Sequence, residues 1–439
     1  MQEENIVVGL DIGTTKICAI VGRKNEYGKL EVLGMGKAKS EGVRRGIVTN
    51  IDKTISAIEK AIHDAEEQSG IEINTVNVGI AGQHIRSSVH HGGITRNSQD
   101  DEIRVEDVER LTNDMYRIVT PPGCEIIHVM PQHYTVDYED GIVDPVGMSG
   151  VKLEADFHII TAQTHAINNI NKCVRRAGLD IQHLILEPLA SSLAVLSEEE
   201  KKAGVCLVDI GGGTTDMAIF YDGIIRHTAV IPFGGDIITQ DIKQGCSVME
   251  EQAELLKVKF GKCIAEEASF NEIVSIRSLR DQPPKEISLK NLAYIIEARM
   301  QEIFEMVHAE IISSGYEDKL AGGIVVTGGG SQLQSAKELC ELTCANDARI
   351  GYPNEYLGKS KIEAVKSPMF ATSVGLVLAG FKAIDERNLD YMKKKGKSTQ
   401  GNRARSDKGE KGEKPDFFRK VLERTKKFLI DDVDDKGNY

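Results

Sequence analysis

The chain has 439 residues, 41% of them hydrophobic and 28% charged, a composition that predicts a globular protein of two or three domains. The 67 acidic residues outnumber the 54 Lys and Arg, and the net charge of −13 excludes a body built to bind nucleic acid. No run approaches the roughly 18 to 20 apolar residues of a membrane span, and no signal segment precedes the first strand, so we expect a protein kept in the cytoplasm.

The first 84 residues alternate strands with one helix. Continuous apolar runs predict strands at 6–10 and 17–21 in the middle of a sheet covered on both faces. Further strands are predicted at 30–36 and 76–81, and apolar residues at helical spacing predict a helix over 52–68.

Residues 85–162 change character, with an acidic helix near 105–119 and β-rich segments after it, and are predicted to be an inserted subdomain. The parent pattern is expected to resume with a strand at 157–162. The helices and strand predicted next lie at 165–177, 182–186 and 188–196.

A second unit opens at residue 204 and repeats the arrangement of residues 6–22 about 200 positions later. An apolar strand, a glycine-threonine turn and a returning strand succeed one another over 204–221. The repeat predicts two related halves. Charged helices over 236–260, a helix at 289–313 and a buried strand within 322–330 complete the second half.

Two loops carry residue types that suit phosphate binding. In Asp11-Ile-Gly-Thr-Thr-Lys16, backbone N–H groups and hydroxyls can converge on phosphate oxygens, with Lys16 adding positive charge. Asp209-Ile-Gly-Gly-Gly-Thr-Thr-Asp216 repeats this layout, and its glycines allow close approach of the backbone. Asp11 and Asp209, each ending a buried strand, are placed to hold Mg²⁺ and its waters. Either loop alone could be an ordinary turn capped by its aspartate; the pair predicts a phosphate clamp.

A third glycine turn, at 328–331, follows a buried strand and fits an element beneath a nucleoside. The chain has no GxxxxGK[ST], which excludes a P-loop. The glycine run at 211–213 lacks the third spaced glycine and the acidic partner of a Rossmann site, so another fold must hold the nucleotide.

Together, GLDIGTTK at 9–16, VDIGGGTTD at 208–216 and VTGGGSQL at 326–333 resemble the phosphate-1, phosphate-2 and adenosine motifs of the actin, Hsp70 and sugar-kinase superfamily. The resemblance implies an α/β, actin-like ATPase fold with two ribonuclease-H-like domains around ATP and Mg²⁺. The cofactor-binding residues that it implies are Asp11, Gly13, Thr14, Thr15, Lys16, Asp209, Gly211, Gly212, Gly213, Thr214, Thr215, Glu254, Lys257, Gly328, Gly329, Gly330 and Ser331. Asp11 and Asp209 would hold the metal through water.

Three segments extend the resemblance. Residues 253–257 with Gly261 resemble the A-E-x-x-K segment whose Glu and Lys contact adenosine; otherwise Glu254 and Lys257 are surface residues of a helix. Residues 367–375 resemble the second interdomain helix. Glu187 occupies the place of a Glu or Gln near the attacking water, which makes it the catalytic candidate, and a solvated helix flank before Pro188 is the equal alternative.

Two features, the insertion with the loop that precedes it and the C-terminal tail, resemble more narrowly the FtsA family of bacterial cell-division proteins. The insertion is similar to the relocated 1C subdomain of that family, and residues 41–52 are similar to its corresponding loop. The implied organisation is domain 1A at 1–84 plus 163–203, subdomain 1C at 85–162, domain 2A at 204–235 plus 301–392, subdomain 2B at 236–300, a flexible basic linker at 393–414, an amphipathic membrane-targeting helix at 415–430 and an acidic tail at 431–439.

The C-terminal segment carries its own signal. Residues 393–414 contain no large apolar side chain and predict a flexible linker, whereas 415–430 regain helical periodicity. One face of that helix carries Phe417, Phe418, Val421, Leu422, Thr425, Phe428 and Leu429, and the other carries Arg419, Lys420, Glu423, Arg424, Lys426 and Lys427. This pattern predicts a helix lying in a membrane surface, with docking on a partner or on the body as the alternative.

The charge distribution agrees with a membrane surface. Residues 393–430 hold fourteen Lys or Arg against five Asp or Glu, a net of +9, while residues 1–392 carry −19. Each basic residue near an anionic leaflet contributes about 1 kcal/mol. The total of −13 therefore combines an acidic body at residues 1–392 with a basic segment at residues 393–430.

The resemblance implies an adaptor that self-associates into an actin-like filament and anchors the FtsZ ring to the cytoplasmic face of the cell membrane at the division septum. The FtsZ C-terminal tail would dock on 236–300, where the basic candidates are Arg277, Arg280, Lys285 and Lys290. Anionic lipid and other division proteins are the further implied partners, with no nucleic acid, and slow ATP hydrolysis is left open. The main alternative is a soluble sugar or small-acid kinase, which has no use for the tail; a chaperone ATPase would need a peptide-binding domain after its core.

Overall fold

The computed structural model of the chain describes residues 6–96, 102–269, 271–277, 284–358, 360 and 362–403. They belong to two compact units, Met1–Ala383 and Ile384–Tyr439. Elements of the first half are β1 Ile6–Ile12, β2 Lys16–Lys24, β3 Leu30–Lys39, β4 Val43–Arg44, β5 Ile47–Val48, α1 Ile51–Ser69, β6 Thr75–Ile80, β7 Ile85–Thr95, α2 Val105–Met115, β8 Cys124–Val136, β9 Glu139–Ile142, β10 Lys152–Gln163, α3 Thr164–Arg176, β11 Asp180–Leu186, α4 Glu187–Val195 and α5 Glu198–Ala203.

The second half supplies the remaining elements. They are β12 Val205–Ile210, β13 Thr215–Tyr221, β14 Ile224–Ile231, α6 Gly235–Gly245, α7 Glu250–Phe260, β15 Ile273–Ile276, β16 Lys285–Ser288, α8 Leu289–Ser314, β17 Ile324–Thr327, α9 Ala336–Cys344, β18 Ala348–Ile350 and α10 Ala371–Arg403.

Two mixed sheets share one topology, which confirms the predicted pair of related halves. The first has the order β11-β6-β1-β2-β3 and the second β18-β17-β12-β13-β14. In each, two antiparallel hairpins precede parallel pairings, β1 with β6 in one and β12 with β17 in the other. Strands β1 and β12 are buried almost throughout, as their continuous apolar sequences predict.

Helix α1 covers one face of the first sheet. The Asn50 side chain caps its N-terminus by accepting from the Lys53 N–H at 3.0 Å, and its apolar face, including Ile58 and Ala61, is buried. A Cβ at Gly36 of β3 would lie 1.7 Å from the Ala61 carbonyl oxygen, so only glycine permits this close packing of strand and helix. The helix thereby fixes the position of β3 beside β2.

The insertion has its own sheet, in the order β7-β10-β8-β9, and its own core around Leu111, Leu153 and Phe157. The prediction that a strand at 157–162 resumes the parent pattern is wrong. That segment lies in β10, which pairs antiparallel with β7 and β8 along most of its length. Alternate residues of its first half, Leu153, Ala155 and Phe157, fill the core of the insertion, which explains the pairing.

Helix α8 is a single element of 26 residues that lies against the second sheet. Ile296, Met300 and Phe304 are all buried along one of its sides. The predicted boundary between residues 300 and 301 therefore falls inside a helix whose buried face continues across it.

Residues 393–403 are helical, as part of α10, whereas the sequence predicted a flexible linker there. Lys, Arg and Gln are good helix formers, and extending an existing helix avoids the cost of nucleation. One helical stretch among the described residues, Pro368–Arg387, is long and apolar enough to span a membrane, but 56% of its apolar part is buried in the fold. Val374, Val377 and Phe381 are buried there, as in a core helix.

Residues 404–439 lie outside the described residues, and so does Arg280. The second part of the predicted linker, the amphipathic helix with its apolar and basic faces, and the acidic tail all stay sequence predictions.

Candidate functional site

The two Asp-Gly-Thr loops meet at one cleft of about 690 Å³ between the two sheets. The loop between β1 and β2 lies directly against the loop between β12 and β13. A Cβ at Gly213 would lie 2.6 Å from Thr14 Oγ1, and the Gly46 N–H donates to the same oxygen at 3.3 Å. Because a side chain at 213 would separate the loops, glycine there permits their close approach.

Most of the residues predicted to bind a cofactor line this cleft. They are Asp11, Gly13, Thr14, Thr15, Lys16, Asp209, Gly211, Gly212, Gly213, Thr214, Glu254, Lys257, Gly328, Gly329 and Gly330, and the catalytic candidate Glu187 joins them. Thr215 and Ser331 lie behind the lining instead. Both are buried, and their hydroxyls donate to backbone carbonyl oxygens, Thr215 to Phe233 and Ser331 to Gly328, each at 2.8 Å.

Asp11 is buried and Asp209 is half-buried, each at the end of its strand, and each accepts hydrogen bonds on its Oδ2 atom. Asp11 accepts from Lys16 Nζ at 3.3 Å, and Asp209 accepts from the Ser191 hydroxyl at 2.7 Å. Burial raises the pKa of Asp209. Burial opposes the charge of Lys16, but the surrounding groups, Asp11 foremost, together outweigh it, so the pKa of Lys16 is raised and the ammonium persists.

Two more carboxyl groups share the cleft. Asp216 Oδ2 accepts from the Thr214 hydroxyl at 2.8 Å, while its buried Oδ1 has no hydrogen-bond partner within the described part of the chain. Burial raises the pKa of Asp216 to about 7. Burial, reinforced by Asp11, also raises the pKa of Glu187 well above its usual range. Sequence reasoning missed Asp216 as a site residue, although it closes the VDIGGGTTD motif.

Glu254 and Lys257 face the cleft from α7. Lys257 Nζ lies 2.7 Å from Glu254 Oε2 and donates to the Gly235 carbonyl oxygen at 2.8 Å. Lys257 is buried, so the alternative of an ordinary surface residue is wrong for it. The contact joins α7 to the first turn of α6, where the Gly235 N–H donates to the Gly211 carbonyl oxygen at 2.8 Å. Helix α7 is thereby fixed against the second loop.

Several lining residues were not predicted from the sequence. They are Lys37, Lys39, Gly46, Asp236, Gln332, Met369 and Thr372. Asp236 immediately follows the glycines that begin α6, and Lys37 and Lys39 share one face of β3. Alternation along β3 could have indicated the two lysines, whereas Thr372 reaches the cleft only through the tertiary fold.

The predicted partner-binding residues do not share one environment. Arg277 is exposed, and Lys285 Nζ donates to the Ser247 carbonyl oxygen at 3.2 Å. Lys290 is only 4% exposed, and its ammonium lies 3.5 Å from Glu266 Oε2. Lys290 is therefore not a free surface cation, because the first turn of α8 packs into the fold.

The repeated sheets and the cleft between them define an actin-like fold. Among solved structures, the PilM-PilN type IV pilus biogenesis complex matches with a TM-score of 0.62 and 15% sequence identity, covering 85% of this chain and 98% of that one. This likeness supports the fold alone.

The family follows from sequence comparison. The model for "Cell division protein FtsA" matches residues 206–375, and the model for the "SHS2 domain inserted in FTSA" matches residues 82–161. Cell division protein FtsA of Pseudomonas aeruginosa is 43% identical over 382 residues, covering 87% of this chain and 91% of the relative. The Bacillus subtilis protein is 37% identical and covers 86% and 84%. The chain belongs to the FtsA family of cell-division proteins.

Proposed function

We propose that the cleft binds ATP with Mg²⁺ and that the nucleotide-bound protein acts as a membrane-attached adaptor in cell division. The observation that carries the nucleotide proposal is the convergence of both Asp-Gly-Thr loops and the glycine turn at 328–330 on one cleft. Its volume of about 690 Å³ lies within the range of small-molecule and cofactor sites. Backbone N–H groups of the loops and Lys16 Nζ would contact the phosphates.

The charges of the cleft fit a divalent cation. Asp11, Asp209, Asp216 and Glu187 share the space with Lys16, and the buried Oδ1 of Asp216 lacks a partner among the described residues. Within that same part of the chain, no three His, Cys, Asp or Glu residues are arranged to hold a metal by themselves. A hard cation that keeps most of its waters and binds phosphate oxygens satisfies both observations. When bound, it would neutralise charge on the phosphates and the carboxylates.

Hydrolysis is proposed only as a slow activity. The Glu187 carboxyl group reaches the cleft, where it could orient a water molecule beside a terminal phosphate. Burial raises the pKa of this carboxyl group, which favours the protonated form that cannot accept a proton from water. Charge compensation by a cation would lower that pKa.

Family membership supports a role at the division site. We propose that the protein recruits the FtsZ tail to residues 236–300, where Arg277 and Lys285 remain the basic candidates on the described surface. The amphipathic segment 415–430 would attach the protein reversibly to anionic lipid, as one short helix does. Self-association would place many such helices side by side and raise avidity by orders of magnitude. ATP binding that favours assembly would therefore also favour membrane attachment.

Liposome co-sedimentation of the full chain tests this coupling. We expect the bound fraction to be higher with ATP and Mg²⁺ than without nucleotide, and low in Asp209→Ala under both conditions. Phe417→Ser combined with Phe428→Ser should abolish attachment, while Thr425→Ser, on the same predicted face, should leave it unchanged. Equal sedimentation of the wild type and Asp209→Ala would reject the coupling. If the Phe417→Ser, Phe428→Ser variant sediments with liposomes as the wild type does, residues 415–430 are not the membrane anchor.

A reporter fused to residues 393–439 separates the adaptor from a soluble kinase. Membrane localisation of the fusion supports the adaptor, and a diffuse signal contradicts the anchoring part of the proposal.

A further inference from the structure

Three hydroxyl groups lie between the two aspartates at the base of the cleft. Ser191, on α4, donates to Asp209 Oδ2 at 2.7 Å, and Thr372, on α10, donates to the same oxygen at 3.1 Å. Ser373 donates to Asp11 Oδ2 at 3.0 Å. All three side chains are at least nine-tenths buried, at 0%, 9% and 0% exposed. The phosphate motifs predicted from the sequence include none of them.

The hydroxyls on α4 and α10 also contact each other, with Ser191 Oγ and Thr372 Oγ1 3.0 Å apart. The helices cross closely at this point, since a Cβ at Gly375 would lie 1.9 Å from the Ala190 carbonyl oxygen. Each hydroxyl has one proton, so either both donate to Asp209, or one of the two donates to the other, which in turn donates to the carboxylate. In both arrangements the Asp209 Oδ2 atom keeps a donor.

These bonds determine which carboxylate oxygens remain available. On Asp11 and on Asp209, Oδ2 faces the hydroxyls, while Oδ1 faces a glycine loop. A Cβ at Gly328 would lie 2.3 Å from Asp209 Oδ1, and a Cβ at Gly13 would lie 3.5 Å from Asp11 Oδ1. The glycines thus leave space beside the two Oδ1 atoms, at the first phosphate loop for Asp11 and at the glycine turn of residues 328–331 for Asp209.

Thr372 and Ser373 are consecutive residues in the first turn of α10, yet they bond to aspartates of different sheets. One peptide unit therefore ties the carboxylate of β1 to the carboxylate of β12. A rotation of one sheet against the other about this helix would break at least one bond, because a hydrogen bond weakens steeply beyond its short range of distance and angle.

We propose that Ser191, Thr372 and Ser373 are positioning residues that set the separation and orientation of the Asp11 and Asp209 carboxylates for a divalent cation bound with the nucleotide. This inference rests on the proposed nucleotide site. A cation bound by both carboxylates would join the two sheets, and the three hydroxyl groups (the hydroxyl bridge) would hold those carboxylates in place.

The test is the dependence of nucleotide affinity on Mg²⁺, measured as the ratio of ATP dissociation constants in EDTA and in Mg²⁺ with the full chain. Thr372→Val keeps the shape of the side chain and removes its hydroxyl. We expect that ratio to fall about tenfold in Thr372→Val and in Ser191→Ala, with the affinity in EDTA unchanged. Thr372→Ser restores the hydroxyl and should restore the ratio.

Ser192→Ala is the matched control. Ser192 neighbours Ser191 on the same helix, is 2% exposed, and donates to the Leu189 carbonyl oxygen at 2.7 Å within its own helix. This variant should keep the wild-type ratio. A loss that came only from weakened packing would reduce the affinity in EDTA and in Mg²⁺ equally, and that result would overturn the inference.

Two failures are distinguishable. If the wild type binds no ATP in Mg²⁺, the proposed function fails. If the wild type binds and Thr372→Val has the wild-type ratio, the hydroxyl bridge fails while the nucleotide site stands. Should Thr372→Val not fold, Ser373→Ala replaces it, and an unchanged ratio in that variant would equally overturn the inference.

Discussion

The two halves of the molecule place the same kind of hairpin at the cleft, but the two hairpins differ in their charged residues. In the first, Ile12 pairs with Ile17 across the loop; in the second, Ile210 pairs with Thr215. Counting from these pairs, Lys16 in the first loop corresponds to Thr214 in the second. The first half therefore supplies a cation 3.3 Å from its aspartate, and the second half supplies a hydroxyl.

The second half then adds another acid. In strand register, Asp216 lies opposite Asp209, where the first half has Cys18 opposite Asp11. Burial raises the pKa of both Asp209 and Asp216, as expected for carboxylates taken out of water without a full positive counterpart. The first half thus balances its own carboxylate, whereas the second depends on positive charge that comes with the ligand.

The largest expected effect is the loss of Mg-ATP binding in Asp209→Asn. This variant keeps the shape of the side chain and removes the charge, so affinity should fall at least about a hundredfold, or about 2.7 kcal/mol. In Asp11→Asn the affinity for Mg-ATP should fall only about tenfold. The loss is smaller because Lys16, no longer paired with Asp11, can then contact the phosphates. Asp222→Asn, on an exposed turn, is the control for calorimetric titration. Equal losses in Asp11→Asn and Asp209→Asn would break the proposed asymmetry.

The second prediction concerns pH and stability without metal or nucleotide. The pKa of the Asp216 carboxyl group is about 7 in the folded chain and about 3.9 when unfolded, so folding favours its protonated form. Stability from this group is complete below about pH 4, declines as pH rises toward 7, and changes little above it.

Between pH 5 and pH 8, the free energy of unfolding of Asp216→Asn should therefore decrease by about 2 kcal/mol less than that of the wild type, as measured by thermal unfolding. Asp222→Asn should follow the wild-type profile. Parallel profiles for Asp216→Asn and the wild type would mean that the Asp216 carboxyl group titrates as it does in water.

The third prediction removes the cation of the first half. Lys16→Met should reduce Mg-ATP affinity about tenfold, since the phosphates lose a charged contact and Asp11 loses its partner. Lys60→Met, on the exposed side of α1, is the control. A double variant with Asp11→Asn should lose less than the sum of the two single effects, because the two side chains form one pair. Strict additivity would argue against the pair.

The smallest expected effect is in Glu187→Gln. Mg-ATP affinity should change less than about twofold, while any slow phosphate release should fall several-fold, because the amide cannot accept a proton from water. Release of phosphate at the wild-type rate would remove Glu187 from the proposed role.

The sequence predicts the parts of this comparison that are local. Each loop is a hairpin whose strands, glycines and aspartate lie within about ten residues, and the repeat in the second half follows from the same pattern. It does not predict the parts that join distant segments. Ser191, Thr372 and Ser373 come from two helices, and their roles depend on how those helices cross.

The sequence also does not predict which side chains are buried or which strands pair with each other. Lys290 reads as a surface cation but is packed at the start of α8, and the segment 157–162 reads as a strand of the parent sheet but joins the insertion. In both cases the local pattern is correct for the element type. Tertiary packing alone decides which neighbour the element meets.

The most direct test of the account is to count bound Mn²⁺, as a substitute for Mg²⁺, by electron paramagnetic resonance with the full chain and ATP. We expect one nucleotide-dependent Mn²⁺ per chain in the wild type and in Asp222→Asn, and none in Asp209→Asn. Nucleotide-dependent Mn²⁺ that persists in Asp209→Asn, or none in the wild type, would contradict it.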